Sequence, residues 1–206
     1  MTPQGYQEWR ASRAGLVTAS QFKRVMDAKT PRAWRTLLAD IRSDLAAVEQ
    51  GIFTEQSAPA LEWGKLHERK ALAIYSLETG RDHEPAPFLR LEGAPIGASC
   101  DAFVGVDGLA EAKCPYSMDG FDRYVRDGVG SVKWQALGQL WVSDRDWCDV
   151  VIFDPRRAEY DQLHIVRLDR SDYAADIELL QARVIEFAQY LVAGTEPQGA
   201  KFAVAA

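Results

Sequence analysis

Three charged residues outside a turn stand in a stretch rich in core-forming residues. They are Asp101, Glu111 and Lys113, within IGASCDAFVGVDGLAEAKCP from Ile96 to Pro115. Glu111 and Lys113 are two apart, so a strand presents both on one face. Val106, Asp107 and Gly108 have the chemistry of a tight turn that folds the Asp101 strand back beside them. Two carboxylates and an ammonium then converge. Carboxylates this close do not both ionise cheaply unless a cation sits between them, and hard oxygen ligands suit Mg²⁺ or Mn²⁺. The plain alternative is a Glu111–Lys113 ion pair on a solvated strand. Against it stand Ile96, Phe103, Val104, Leu109, Ala110, Ala112 and Cys114, since charges amid core-forming residues need a partner or a metal.

The elements that must hold these groups follow from periodicity. Thr18 and Ser20 are good N-cap residues ahead of a helix with Phe22, Val25 and Met26 inward, and a helix start is also a ready anion site. Pro31 opens a helix to Glu49 with Trp34, Leu37, Leu38, Ile41, Leu45 and Val48 in a stripe. Ser57 or Ala58 begins another, running to about Leu77 and stopped by Gly80, with Gly64 and Glu68 one turn apart. Phe88–Leu91 and Ile96–Val104 read as strands around a Gly93 turn, followed by the Glu111 strand. Tyr116 to Asp127 and Ser131 to Val142 read as helices, the second carrying Gln135 and Gln139. The run CDVVIF from Cys148 reads as a buried strand, Gln162–Leu168 as an edge strand, and Ser171 starts a last helix with Ile177, Leu180, Val184, Phe187 and Leu191 inward. The tail after Gly194 is expected to be loose. Strands interspersed with helices make this an α/β chain.

Composition narrows the function. The 206 residues suit a single domain: N-terminal helices over 9–80, a catalytic sheet over 86–168 and a C-terminal helix over 171–193. No apolar run is long enough for a membrane span, and residues 1–7 are too polar for a signal peptide, so a cytoplasmic protein is expected. Three cysteines, Cys100, Cys114 and Cys148, lack CxxC spacing and read as reduced. His67 has no second histidine near it, which argues against zinc. The net charge of −6 is uneven: Trp9–Arg35 carries +6, from Arg10, Arg13, Lys23, Arg24, Lys29, Arg32 and Arg35 against Asp27. A local patch of that kind binds phosphates on an acidic protein.

Four blocks, in order, carry a resemblance: RAGLVTAS from Arg13 to Ser20, EWGKLHE from Glu62 to Glu68, GASCDAF with GLAEAKCP, and WQALGQLWV followed by FDPR. The chain resembles the PD-(D/E)xK nucleases, and more closely the lambda-exonuclease-like group, the YqaJ-type viral recombinase nucleases. Those blocks span most of the first three quarters of the chain. The resemblance implies an α/β restriction-endonuclease-like core, a central mixed β-sheet flanked by helices, and an exonuclease that uses two Mg²⁺ ions, with Mn²⁺ able to substitute. It would degrade one strand of double-stranded DNA 5′ to 3′ from 5′-phosphorylated ends to mononucleotides, leaving a 3′ single strand for recombination. The implied ligands are Asp101, Glu111 and the carbonyl of Ala112. Lys113 is implied to position and help deprotonate the attacking water, its pKa lowered by the cations, and Glu68 and Gln135 to orient waters. Arg13, Ser20 and Ser99 are implied to grip the 5′-phosphate; without the resemblance Ser20 reads as a cap and Ser99 as filler. Relatives often show a second glutamine two residues after the first, where this chain has Leu137, with Gln139 one turn along. The arginines of the Asp154–Arg157 turn are candidates for the DNA backbone. The resemblance further implies a homotrimeric ring around the DNA, in a phage or bacterial setting, and a single-strand annealing protein as partner. An endonuclease of the same fold and a non-catalytic DNA-end-binding module are the alternatives.

Overall fold

In the computed structural model, which describes residues 3–54, 58–200 and 202, the chain is built on two sheets, and a short kinked segment over 99–101 carries it from the smaller to the larger. The larger has the order β2-β5-β6-β7-β8, from β2 (His83–Pro85), β5 (Ala102–Val104), β6 (Gly108–Lys113), β7 (Trp147–Phe153) and β8 (Leu163–Asp169). Its pairs are antiparallel except β6 with β7, which is parallel. That exception follows from connectivity: two helices lie between β6 and β7, and such a crossover returns the chain in the same direction. The smaller sheet has the order β1-β4-β3, from β1 (Val17–Thr18), β4 (Ile96–Ala98) and β3 (Leu89–Arg90).

The single strand expected over Ile96–Val104 is therefore two, β4 and β5, in different sheets. The break falls on Ser99, Cys100 and Asp101. Side chains replace ladder partners there: Gln139 Nε2 donates to the Ser99 carbonyl at 2.7 Å, and Asp101 Oδ2 accepts from the Ala112 amide at 2.7 Å. Side chains that bond backbone in this way compete with strand pairing. The turn from β5 into β6 uses Gly105 at φ +57°, a left-handed conformation that glycine adopts without strain.

Helices cover both faces of the larger sheet, as the α/β pattern requires. On one side α4 (Pro59–Thr79) lays Ala71, Leu72 and Tyr75 on Ala102, Val104, Ala110, Val151 and Phe153. Ala58 precedes its first turn, while Ser57, the other expected start, lies outside the described residues. On the other side α6 (Lys133–Ser143) and α7 (Ala174–Ala193) pack with α2 (Phe22–Met26) and α3 (Pro31–Glu49) around Trp34, Leu37, Leu137, Leu140, Leu180 and Phe187. Gly138 sets how closely α6 meets α2: a Cβ there would lie 2.3 Å from the Phe22 ring.

Several boundaries differ from the sequence pattern. A further helix, α1 (Pro3–Ala11), precedes the expected N-terminal group. A 3₁₀ turn over Ala19–Gln21 leads into α2, with the Thr18 amide donating to Gln21 Oε1 at 3.0 Å. The helix expected from Tyr116 starts later, as α5 (Gly120–Asp127), and Ser171 lies in a 3₁₀ turn ahead of α7. The described part of the tail is not loose. The Phe202 ring lies 4.7 Å from that of Trp34, and Arg42 and Arg35 donate to the carbonyls of Thr195 and Pro197.

Candidate active site

The two-residue period of β6 puts Glu111 and Lys113 on one face, with Lys113 Nζ 2.8 Å from Glu111 Oε1. Across them lies α6, whose Gln135 and Gln139 are one turn apart and so face the same way. Gln135 Nε2 donates to Glu111 Oε1 at 2.6 Å, and its own Oε1 accepts from Lys113 at 3.1 Å. Gln139 Nε2 donates to Glu111 Oε2 at 2.7 Å as well as to the Ser99 carbonyl. Glu111 is 4 % exposed and Gln139 1 %. Both oxygens of the buried carboxylate are thus held by donors, which is what keeps a carboxylate in such a place. Gln139 Oε1, also buried, has no hydrogen-bond partner.

Asp101 enters from the kink. Its Oδ2 is held by the Ala112 amide, leaving Oδ1 for another partner. Burial, and then the negative charges of Glu111 and Glu68, push its pKa up to about 8, with the Ala112 hydrogen bond and Lys113 pulling the other way. Glu68, on α4, responds to the same field: burial and then Glu111 raise its pKa, against Lys113, even though its surface is open to solvent. For Lys113 burial is the largest influence and acts downward, but the charge and hydrogen bond of Glu111 together with the charge of Asp101 outweigh it and the net shift is upward. The protein's own groups therefore keep the ammonium charged.

The donor set fits a hard divalent cation. Among the described residues no three His, Cys, Asp or Glu side chains form a ready cluster, so Glu68 does not complete a three-carboxylate cage with Asp101 and Glu111. Mg²⁺ does not ask for one, since it is commonly held by one or two carboxylates with waters filling the remaining positions. The raised pKa of Asp101 reflects burial first and then the negative charge of Glu111 and Glu68, and a cation would oppose both.

Asp101, Glu111 and Gln135 line a cleft of about 800 Å³ together with Arg13, Ser20 and Ser99. Arg13 Nη2 donates to Ser99 Oγ at 3.1 Å. The guanidinium lies between two rings, 4.4 Å from the centroid of Trp9 and 4.3 Å from that of Phe88. Burial lowers its pKa to about 10, which leaves it a cation at neutral pH. Ser20 is exposed, its Oγ 3.1 Å from that of Thr18. Trp9 and Phe88 escaped the sequence reading; the signal for Trp9 is its position one helical turn before Arg13. Lys113 faces a second cleft, of about 750 Å³, with Lys23, Tyr116, Arg123 and Tyr124, so the Glu111–Lys113 pair stands between two grooves.

Other expected phosphate contacts are engaged inside the chain. Arg10 pairs with Asp44, Lys23 with Asp27, and Arg24 with Asp40 at 2.7 Å, so much of the basic N-terminal segment is neutralised locally. Arg156 forks onto Asp154 and donates to the carbonyls of Pro115 and Tyr116, while Arg157 pairs with Asp122 and Asp161. These arginines hold the loop that follows Lys113.

Comparisons with known proteins agree with this architecture. Residues 8–146 match the YqaJ-like viral recombinase domain. No curated protein sequence matches the chain. Among solved structures, an alkaline exonuclease from Laribacter hongkongensis is 29% identical with a TM-score of 0.78, over 91% of this chain and 93% of that one. The same exonuclease in complex with dAMP gives the same figures. A phage-related exonuclease from Haemophilus somnus 129PT shares the fold, with a TM-score of 0.64 at 12% identity over 87% of this chain and 96% of that one. With the family's domain covering well over half its length and the fold of the Laribacter exonuclease matched over 91% of it, the chain belongs to the YqaJ-like viral recombinase family.

Proposed function

We propose that this chain is a divalent-cation-dependent exonuclease that removes mononucleotides 5′ to 3′ from 5′-phosphorylated ends of double-stranded DNA, leaving a 3′ single strand. The family relation and the likeness to an alkaline exonuclease support DNA end degradation in general. One observation carries the end specificity: Arg13 is bonded to Ser99, two residues from Asp101, and all three line one cleft with Glu111.

Asp101, Glu111 and the Ala112 carbonyl would hold the cations, with Asp101 shared between two of them. Two Mg²⁺ ions, or Mn²⁺ in their place, would activate water and neutralise the leaving 3′-oxygen. Lys113, charged in this setting, orients the water and donates to the phosphoryl oxygens as negative charge builds on them. Gln135 fixes Lys113 against Glu111, and Glu68 orients waters at the rim. Arg13, Ser20 and Ser99 bind the terminal 5′-phosphate, so the bond presented for attack is one nucleotide in. A homotrimeric ring around the DNA and an annealing protein that takes up the 3′ strand complete the proposal. A cytoplasmic setting is part of it; no described helix is long and apolar enough to cross a membrane.

Arg13→Ala tests the end specificity. Loss of a charged hydrogen-bond partner, about 1.5–3 kcal/mol, corresponds to about 10- to 150-fold slower release from 5′-phosphorylated ends. Ends lacking the phosphate should be cut at a rate close to that of the wild type. Equal loss on both substrates, or cutting of closed circular DNA by the wild type, contradicts the reading and favours an endonuclease.

A further inference from the structure

We propose that Gln139 is a positioning residue that locks the 5′-phosphate pocket to the cation-binding carboxylate, and so fixes how far from the end the strand is cut. The proposal rests on the cleft being an end-specific nuclease site. Its structural basis is separate.

Gln139 sits on α6 at 1 % exposure, out of reach of any DNA strand. Its single amide nitrogen bridges two elements that the chain keeps apart. At 2.7 Å it donates to Glu111 Oε2 on β6, and at 2.7 Å to the carbonyl of Ser99, in the kink where the chain passes from one sheet to the other. Ser99 in turn receives Arg13 on its hydroxyl. A continuous path therefore runs from Arg13 through Ser99 and Gln139 to Glu111. Gln135, one turn earlier, grips the other oxygen of Glu111 and Lys113 but does not touch the kink. The two glutamines divide the work: Gln135 aligns the reacting groups with one another, and Gln139 sets them at a fixed distance from the phosphate pocket.

The way Gln139 is bonded argues for position over stability. Its Oε1 is buried without a partner, an arrangement that an apolar side chain of similar size would relieve. Strand pairing does not continue through Ser99 either, so the kink has the Gln139 amide where a neighbouring strand would otherwise bond. Groups that hold a metal ligand from behind in this manner govern both affinity and activity, with losses of about 10- to 100-fold when removed.

Gln139→Leu removes the donor and the unpaired acceptor together at little change in volume. The measurement has two arms on the same protein. The first is the ratio of rates on 5′-phosphorylated and 5′-hydroxyl duplex ends, with product length read on a gel. The second is Mn²⁺ affinity by calorimetry without DNA. Gln139→Leu should fold but melt below the wild type, since Glu111 Oε2 and the Ser99 carbonyl lose their donor. Measured well below that melting point, it should lose about tenfold in the end ratio, release some dinucleotide with the mononucleotide, and bind Mn²⁺ about tenfold more weakly. Gln135→Leu should slow cutting while keeping the wild-type end ratio. An unchanged end ratio and product length in Gln139→Leu overturns the proposal, as does an equal change in Gln135→Leu. A wild-type enzyme indifferent to the phosphate overturns the phosphate-pocket reading itself, a distinct result. If Gln139→Leu fails to fold, Gln139→Met supplies the same comparison with a more adaptable side chain.

Discussion

Two buried acids on neighbouring strands, Glu111 on β6 and Asp149 on β7, face opposite sides of the same sheet. The parallel register pairs Ala110 with Asp149 and Glu111 with Val150, which puts the two carboxylates on different faces. Asp149 takes a forked pair of bonds from Arg167, both at 2.7 Å, and a third from the Tyr75 hydroxyl at 2.7 Å. Arg167 is stacked over Trp147, 3.8 Å from its centroid. That acid is neutralised by a full cation with matched geometry. Glu111 instead has one lysine and two neutral amides, with Asp101 and Glu68 crowding it with further negative charge. The first arrangement is complete as it stands and holds β8 to β7 and α4. The second crowds carboxyl groups at the floor of a cleft, where Asp101 is held protonated up to about pH 8 instead of being paired with a cation of the chain. What separates a structural buried acid from one poised for a cation is whether the chain itself finishes the neutralisation.

Substitutions at the two places should therefore part company. Asp101→Asn keeps an acceptor for the Ala112 amide but removes the crowded charge. Nuclease activity should fall on the order of 10²–10³-fold, the scale for losing one preorganised electrostatic group. The melting temperature without metal should stay level or rise. An active Asp101→Asn enzyme would erase the contrast. Asp149→Asn is expected to do the reverse, lowering stability by about 1–3 kcal/mol as Arg167 and Tyr75 lose their charged acceptor. Activity measured well below the melting point should remain near that of the wild type. A large loss of activity with unchanged melting would show that Asp149 serves the reaction after all.

The smallest effect concerns pH. Asp101 titrates at about 8 in the folded chain, raised by burial and its acidic neighbours, against about 4 for an unfolded aspartate. Between those values the folded chain holds a proton that the unfolded chain has released. Its contribution to stability is complete below about pH 4 and is lost as the pH rises through 8. Glu68, raised for the same reasons, acts in the same direction. Metal-free melting should therefore drop between pH 5 and pH 8.5 relative to Asp101→Asn, and Mg²⁺ should restore more at pH 8.5 than at pH 5. Identical pH profiles for the two proteins would remove Asp101 as the source.

Local periodicity carried much of this architecture. The stripe of α3, the buried run of β7 and the shared face of Glu111 and Lys113 all depend on neighbours a few residues away, which a sequence displays directly. What stayed hidden depends on distant partners. Nothing in IGASCDAF marks the change of sheet at Ser99–Asp101, because the donor that caps Ser99 lies on α6. Asp149 was visible as the one acid inside CDVVIF, but its partners Tyr75 and Arg167 come from α4 and β8. The tail looked loose because Trp34, against which Phe202 packs, sits at the other end of the chain. At the site, the Glu111 and Lys113 pair could be foreseen from spacing alone, whereas Arg13, Ser20 and Ser99 took their meaning from the family blocks.

The most direct measurement is a time course on a linear duplex labelled at its 5′ ends, with and without the terminal phosphate, in Mg²⁺. The account predicts immediate release of labelled mononucleotide from phosphorylated ends, slower release from unphosphorylated ones, and an intact complementary 3′ strand. Internal fragments appearing first, or no nucleotide released in either Mg²⁺ or Mn²⁺, would contradict it.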